Sequence, residues 1–574
     1  MNARALQPTF WDLFTPKLVT VLSERYGLAD FRADVIAGLT VAIVAIPLSM
    51  AIAIASGVTP DRGLYTAIVG GFFVSLLSGS RFQIGGPAGA FIVLVAATVA
   101  AHGVEGLILA TMLSGLMLLC IGFLRLGTFI KYIPYPVTVG FTAGIAVIIF
   151  ASQIKDLLGL HLAGSEPGEL LPKLKAIGEA LPTFSAPALA IALLSIVTIV
   201  GLKHYRPHWP SLLIAVAMAS LATWAFGLPI ETIGTRFGGI SHGLPMPQLP
   251  VISLDKVMAV LPAAISFALL GSIESLLSAV VADSMTGRRH RSNCELVAQG
   301  TANIASALFG GICVTGTIAR TATNVRSGAR SPMAGILHAL FVLLFMAVAA
   351  PLAAYIPLAA LAGLLGVVAW NMAERHAFAR LLLASRGDAL VLVATFLLTI
   401  FRDLATGIVV GFSLAALLFL HRMAQAVEIE SGHPGAEDED DAGTPYDASV
   451  ATDRDVIVYR ISGAFFFGAA ATVAAALDSI AEFPKAYVID VSAVPMLDST
   501  AAAAIEGFVR KSRRQGVAIY VTGAHGHVRR ILRTHGVRRP DVSFYADVSA
   551  GIAAAHAALQ PAAEPLQSAI LIDR

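Results

Sequence analysis

Between residues 34 and 425 the chain is a succession of apolar segments, most of them about 20 residues long, joined by short loops. Inside hydrocarbon no water reaches the backbone, so every N–H and C=O must find a partner within the protein. Runs of this length meet that demand as spanning helices. Only 13% of the residues are charged and 56% are hydrophobic, against about 25% charged in soluble domains. The chain therefore reads as an α-helical polytopic membrane protein whose first partner is the lipid bilayer. A net charge of +2 offers no basic footprint, and no nucleic-acid partner is expected. The cysteines (Cys120, Cys294, Cys313) have neither metal nor disulfide spacing and read as small buried residues. The N-terminal stretch lacks a signal-peptide core, so the first span is expected to direct insertion.

Full-length spans are expected near 34–55, 63–79, 106–124, 136–158, 186–202, 211–227, 260–283, 295–309, 333–354, 356–373, 387–401 and 404–424. Two segments differ. Ile84 to Ala101 follows a Gly-Gly-Pro break, and Gly310 to Pro332 opens on glycines and soon turns polar. Both read as half-length helices reached through an extended lead-in, which makes fourteen segments from twelve plus two. The odd ones are third and tenth. A spacing of seven segments implies 7+7 inverted repeats, the mark of a secondary transporter whose site lies where the broken helices meet.

Lys and Arg concentrate in alternate loops: Arg81; Arg125 and Lys131; Lys203 and Arg206; Arg288, Arg289 and Arg291; Arg326 and Arg330; Arg375, Arg380 and Arg386; Arg422. Lys155, Lys173 and Lys175 are the exception. This bias puts both termini in the cytoplasm.

A helix N-terminus carries unpaired N–H groups and about half a positive charge, so two facing ends make an anion site without a metal. Gly85, Gly86 and Pro87 suit such an approach on one side; Gly310, Gly311 and Gly316 suit it on the other, where Thr315 and Thr317 add hydroxyls. The alternative is that these residues merely kink ordinary spans. Arg320 falls one turn into the tenth segment, at the site if that helix starts at mid-membrane, or at the interface with Arg326 and Arg330 if it does not. Glu274 sits near the middle of the eighth segment, with Gly271 and Ser278 on the same face. A carboxylate there costs several kcal/mol. It is either a proton-coupling group with Ser278 beside it or one half of a structural Glu–Arg clamp.

Five regions follow: a cytoplasmic segment 1–32, a transport domain 33–427, a linker 428–452 with its acidic run Glu437–Gly443, an α/β domain 453–560, and a tail 561–574. In the α/β domain, "VIVYRI", "AYVIDV" and "VAIYVTG" alternate as strands, and helices are expected after Ser499, the N-cap, and over 527–536. No phosphate-cradling glycine loop, nucleophile–base pair or metal-ligand cluster stands out, so no cofactor and no enzymatic activity are expected.

"DVIAGLTVAIVAIPLSMAIAIASGV", "GLYTAIVGGFFVSLLSGSRFQIGGPAGAF", "LPAAISFALLGSIESLLSAVVADSMTGRRHRSNCELVAQGTANI" and "IARTATNVRSGARSP" together resemble the SulP anion-transporter family, with its C-terminal STAS domain. Within the family, "AIPLSMA", "QIKDLLGL" and "VAWNM" look most like bacterial C4-dicarboxylate carriers. The resemblance implies a uracil-permease-like fold, with segments 1–4 and 8–11 as a core and 5–7 and 12–14 as a gate. It implies elevator-like alternating access in the bacterial inner membrane and a homodimer. It places a dicarboxylate or small inorganic anion among Gly86, Ala88, Gly89, Thr315, Gly316, Thr317 and Arg320. The family's acidic position in the eighth segment is Asp in sodium-coupled bicarbonate members and Glu in many proton-coupled ones, which makes Glu274 the expected proton-coupling group. Leu48 and Ala88 depart from the Gln and Thr of many members, which leaves sulfate or bicarbonate as alternative substrates. A channel on this scaffold has no need of Glu274. "LDSTAAAAIEGF" resembles the segment in which a serine is phosphorylated in anti-sigma antagonists, implying Ser499 as a modification site and a cytoplasmic protein partner for this domain.

Single cysteines placed in 288–291 and in the α/β domain should resist an impermeant thiol reagent in intact cells and react once the membrane is opened. Labelling of either in sealed cells would break the fourteen-segment topology.

Overall fold

The computed structural model describes residues 9–24, 26–128, 134–164, 166–167, 169–206, 209–425, 428–431, 455–470, 473 and 484–559. Lys131, the acidic run Glu437–Gly443 and the tail 561–574 lie outside the described residues. The chain divides into two compact units, Met1–Ala415 and Ala416–Arg574.

The first unit is helical. Its helices are α1 (Leu28–Ala55), α2 (residues 60–77, with a π-helical turn at Thr66–Gly70), α3 (Ile92–Phe123), α4 (Tyr135–Leu157), α5 (Ala186–Tyr205) and α6 (Ser211–Ala225). Then come α7 (Leu254–Thr286), α8 (Ser292–Leu308), α9 (Ile318–Arg326), α10 (Met333–Ala353), α11 (Leu358–Met372), α12 (Arg386–Phe401) and α13 (Leu404–Gln425), whose residues from Ala416 on belong to the second unit. α3 contains the third and fourth expected segments in one element, broken at Gly103, whose φ of 67° is open mainly to glycine. α1 begins before the apolar run because its first turns carry Asp30, Arg32 and Asp34, and the Asp30 carboxylate accepts the Gly27 N–H at 3.2 Å. Charge hid a helix start there.

Two bundles emerge from the packing. α1, α2, α3, α7, α8, α9 and α10 pack on one another, as do α4, α5, α6, α11 and α12. Within the first bundle α3 and α8 cross at glycine: a Cβ on Gly300 would stand 2.6 Å from the Gly115 carbonyl oxygen, and one on Gly115 2.7 Å from that of Gly300. Such small-residue crossings are how helices gain dispersion where no hydrophobic drive separates protein from lipid. The N-terminal helix Lys17–Ser23 lies along this bundle. The Lys17 N–H donates to the Ser78 carbonyl at 2.9 Å, and Arg291 donates to the Thr15 carbonyl at 2.7 Å. Arg81 donates to Glu24 at 2.6 Å, which holds that exposed carboxyl below its ordinary range.

The second unit carries a five-stranded sheet in the order β3–β4–β5–β6–β7; the two-residue strands β1 and β2 belong to the first unit and are described with the site. β3 (Glu428–Ser431) is antiparallel to β4 (Val456–Ser462), while β5 (Ala486–Asp490), β6 (Ala518–Thr522) and β7 (Ser543–Tyr545) continue in parallel. Residues 428–431 are thus the sheet's edge strand rather than linker. Their "EIES" alternation is too short and too charged to be read alone. Side chains alternate between two cores: Tyr459, Ile461, Tyr487 and Ile489 face one, Val456, Val458, Ala486 and Val488 the other. Helices α14 (Ser499–Arg514), α15 (Gly526–Thr534) and α16 (Val548–Leu559) complete the unit. The N-cap of α14 is Asp498, not Ser499. Asp498 is extended and its carboxylate accepts the Ala501 N–H at 2.8 Å and the Phe467 N–H at 2.9 Å, which leaves exposed Ser499 as the first helical residue.

Gly300→Leu should destabilise the first bundle by about 1–3 kcal/mol, the usual cost of overpacking. Thermal melting of the detergent-purified protein checks this, and an unchanged midpoint would mean that the α3–α8 crossing opens freely.

Candidate functional site

Both short lead-ins are extended and they pair with each other. β1 (Gly85–Gly86) runs antiparallel to β2 (Thr315–Gly316), with Gly85 opposite Gly316 and Gly86 opposite Thr315. Ala88 and Thr317 then cap the two helices in extended conformation. A short 3-10 turn, Gly89–Phe91, leads into α3, and α9 begins at Ile318. Two helix N-termini therefore start from one antiparallel pair, each with first-turn N–H groups that no helical carbonyl can accept.

Glycine is required at the pair. A Cβ on Gly86 would stand 2.0 Å from Nη1 of Arg320, and one on Gly316 1.6 Å from Nε2 of Gln83. Arg320 is 1% exposed. Its Nη2 donates to Ser49 Oγ of α1 at 3.1 Å and to the Pro87 carbonyl at 3.2 Å, whereas Nε and Nη1 have no partner among the described residues. Arg326 and Arg330 are exposed, and Arg330 lies 3.5 Å from Asp30. The three arginines of this stretch thus differ in depth, with Arg320 alone at the paired lead-ins.

The threonine hydroxyls are committed elsewhere. Thr315 Oγ1 donates to the Gly271 carbonyl at 3.2 Å and Thr317 Oγ1 to the Ile84 carbonyl at 3.3 Å. Both link the lead-ins to their surroundings, so the free donors are backbone N–H groups and the guanidinium. Ser278 is also engaged, donating to Thr321 Oγ1 at 2.9 Å, which in turn accepts the Ile84 N–H at 3.2 Å.

Glu274 lies on the α7 face between Gly271, against Phe91 at the start of α3, and Ser278, bound to α9. That face touches both half-helices. Glu274 is half-buried and forms no hydrogen bond or ion pair with any described residue. No clamp to Arg320 is present.

Several residues at or near the site carried no sequence signal. Ser49 looked like one more small residue beside Pro47. Gln83, which donates to Ser275 at 2.8 Å, stood among loop residues. Glu295 is fully buried and accepts from Ser78 Oγ at 2.6 Å, Gly79 N–H at 3.1 Å and Gln299 Nε2 at 3.2 Å; its place at the edge of an apolar run hid it. On the side of the second bundle, a Cβ at Gly89 would meet Met372 Sδ at 3.4 Å and Ile149 Cδ1 at 3.8 Å, so these two apolar side chains cover the start of α3. An apolar groove of about 720 Å³ lies among α4, α5 and α11, lined by Phe150, Ile154, Leu189, Gly366 and Trp370 among others, and none of the site residues lines it.

Broken helices that meet inside one bundle, with the start of α3 against the other, are the architecture of a membrane carrier, and comparison with known proteins agrees. Residues 31–395 match the sulfate permease family and residues 447–550 the STAS domain. The chain is 39% identical over 519 residues to a putative sulfate transporter, YvdB, of Bacillus subtilis, covering 90% of this chain and 95% of that one. It is 32% identical over 559 residues to the bicarbonate transporter BicA of Synechocystis, covering 94% and 97%. The solved transmembrane domain of a cyanobacterial BicA superposes with a TM-score of 0.60 at 32% identity, over 68% of this chain and 98% of that one. SLC26A9 shares the fold, with a TM-score of 0.82 at 19% identity over 96% and 93%. The chain belongs to the sulfate permease family. It is a multi-pass membrane anion transporter with a C-terminal STAS domain, and not an enzyme.

Gly86→Val should displace the Arg320 guanidinium while leaving the bundle folded. Anion exchange in liposomes should fall by at least about tenfold, the order expected when a buried charge-assisted hydrogen bond is lost. Exchange at the parental rate would show that Arg320 does not need its place beside Gly86.

Proposed function

We propose that this protein is a secondary active carrier of the bacterial inner membrane that takes up a small anion together with protons. The observation that carries this reading is the paired lead-ins with Arg320 at Gly86: two helix N-termini and a guanidinium with unshared N–H groups converge where an anion needs them. The anion sits beside Gly86, Ala88 and Gly89 on one half-helix and Gly316 and Thr317 on the other. Backbone donors supply most of its hydrogen bonds, because the hydroxyls of Thr315 and Thr317 are already donated.

The substrate we favour is a C4-dicarboxylate. "AIPLSMA", "QIKDLLGL" and "VAWNM" resemble the corresponding segments of DauA, the bacterial C4-dicarboxylic acid transporter. Sulfate and bicarbonate form the second reading, supported by the relatives named for those anions. Counterflow in proteoliposomes with labelled succinate, fumarate, sulfate and bicarbonate separates the two, since only the true substrate exchanges against itself.

Glu274 is the proton-coupling group in this reading. Glu274 lies on the α7 face that touches both half-helices, so its charge and that of the anion would share the same positive helix ends. An arriving anion neutralises those positive groups, so substrate and proton each favour the other's binding, as linkage requires. The first bundle then moves past the second, carrying both.

Glu274→Gln fixes the neutral state. It should bind and exchange the anion yet lose uphill accumulation driven by a proton gradient alone. If the variant still concentrates substrate under that gradient, coupling resides in another group.

A further inference from the structure

The apolar groove among α4, α5 and α11 belongs to the second bundle and stands apart from the paired lead-ins. α5 and α11 approach closely at one point, where a Cβ on Gly363 would stand 2.9 Å from the Ala192 carbonyl oxygen. One turn on, Gly366 leaves a floor without a side chain. A Cβ there would meet only the Phe150 ring of α4, at 3.9 Å. Phe150 of α4 and Leu193 and Val200 of α5 form walls, and all three are exposed. The groove therefore opens outward from these membrane-spanning helices, onto the surrounding bilayer.

Its cationic groups gather at one end. Lys203 and His204 stand in the last turn of α5, and Trp370 and Asn371 near the end of α11. The Arg375 guanidinium lies over the Trp370 ring, 4.0 Å from its centroid, and brings a second fixed charge there. No carboxylate lines the groove, and neither Lys203 nor Arg375 forms an ion pair among the described residues. Leu189 and Lys203, which both line it, are about 21 Å apart along α5 at the α-helical rise. One leaflet of hydrocarbon is about 15 Å deep, half of the bilayer core.

These features name an occupant. An apolar channel as long as one leaflet suits an acyl chain, and two cations without a carboxylate at its mouth suit a headgroup of net negative charge. Tryptophan and basic residues at the ends of spans lie at headgroup level, and basic pockets between spans hold anionic headgroups. A zwitterionic lipid would fill the channel equally well but leave the cations without a net counter-charge.

We propose that the groove is a binding site for an anionic phospholipid, with an acyl chain along Gly366 and Phe150 and the headgroup phosphate at Lys203 and Arg375. The site lies on the bundle that does not carry the paired lead-ins, so it stands independently of the anion reading.

The full chain carrying Trp11→Phe, Trp209→Phe and Trp224→Phe keeps Trp370 as its one tryptophan, and bromine-labelled lipid quenches that fluorescence on contact. In phosphatidylcholine vesicles, brominated phosphatidylglycerol should reach half-maximal quenching at a mole fraction at least about fivefold below brominated phosphatidylcholine. That is the preference expected from one basic residue near a headgroup. Lys203→Gln combined with Arg375→Gln should bring the two curves together. Gly366→Leu should do the same, because it fills the floor of the groove while leaving both cations in place; quenching by the surrounding lipid should remain. Equal curves in the parent overturn the proposal, since the groove then takes any lipid. Absence of quenching by either lipid also overturns it and means that another copy of the chain covers the groove. A preference that survives Gly366→Leu overturns the groove as the site, because surface charge alone then attracts the lipid. A preference that survives loss of both cations overturns the headgroup assignment. If the variant lacking both cations does not fold, Gly366→Leu decides.

Discussion

Two stretches of extended backbone inside the membrane unit set the terms for the rest of the molecule. Non-helical chain is tolerated at that depth only when protein satisfies its polar groups, and here neighbouring elements do so one by one. The Thr317 N–H donates to the Ile84 carbonyl, and Thr321 accepts from the Ile84 N–H. Asn324 donates to the Phe82 carbonyl at 2.9 Å. Asn303 both accepts from and donates to Val314, at 3.0 and 2.8 Å, while Thr66 accepts the Ile312 N–H at 2.7 Å and Arg62 donates to the Gly310 carbonyl at 2.6 Å. Polar side chains on α2, α8 and α9 are thus the scaffolding of the lead-ins.

That scaffolding narrows what can hold the anion. A hydroxyl that has donated its hydrogen presents only lone pairs, so Thr315, Thr317 and Ser278 stabilise the site rather than contact a negative charge. In the proposed site, what remains is the ends of α3 and α9 and the guanidinium. A site built from backbone dipoles discriminates by cavity shape more than by side-chain chemistry, which accords with one family holding relatives named for sulfate and for bicarbonate. The apolar residues at Leu48 and Ala88 push this chain further in that direction.

Segment lengths and glycine positions were legible in the sequence because the bilayer imposes a length and a broken helix needs Gly or Pro. Arg320 and Glu274 were legible because charge inside an apolar run is costly and conspicuous. Ser49, Gln83 and Glu295 were not: each is a common polar residue near a span or at its edge, and only tertiary packing gives it a partner. The start of α1 was obscured because charged first turns look like loop. Ser499 was misread for a related reason. Asp498 and Ser499 are both good caps, and the choice fell to the residue whose carboxylate could also accept from Phe467, a contact distant in sequence. The strand 428–431 had too few residues for its period to show.

The distribution of hydrogen bonds bears on how such a protein can move. The bonds that fix the site, from Arg320 to Ser49, Ser278 to Thr321, Gln83 to Ser275 and Ser78 to Glu295, all lie within the bundle of α1–α3 and α7–α10. At the boundary with the other bundle the site meets Met372 and Ile149, apolar side chains packed near a glycine. Hydrogen bonds are directional and costly to break in a dry interior; dispersion contacts are individually weak and re-form after a slide. Methionine, unbranched and flexible, re-packs with little penalty. A bundle that is polar inside and smooth outside can shift as a body against its neighbour without opening the lead-ins, so the anion's ligands travel with it while the surfaces covering the site change. The proposed alternating access would then follow from where the polar bonds were placed.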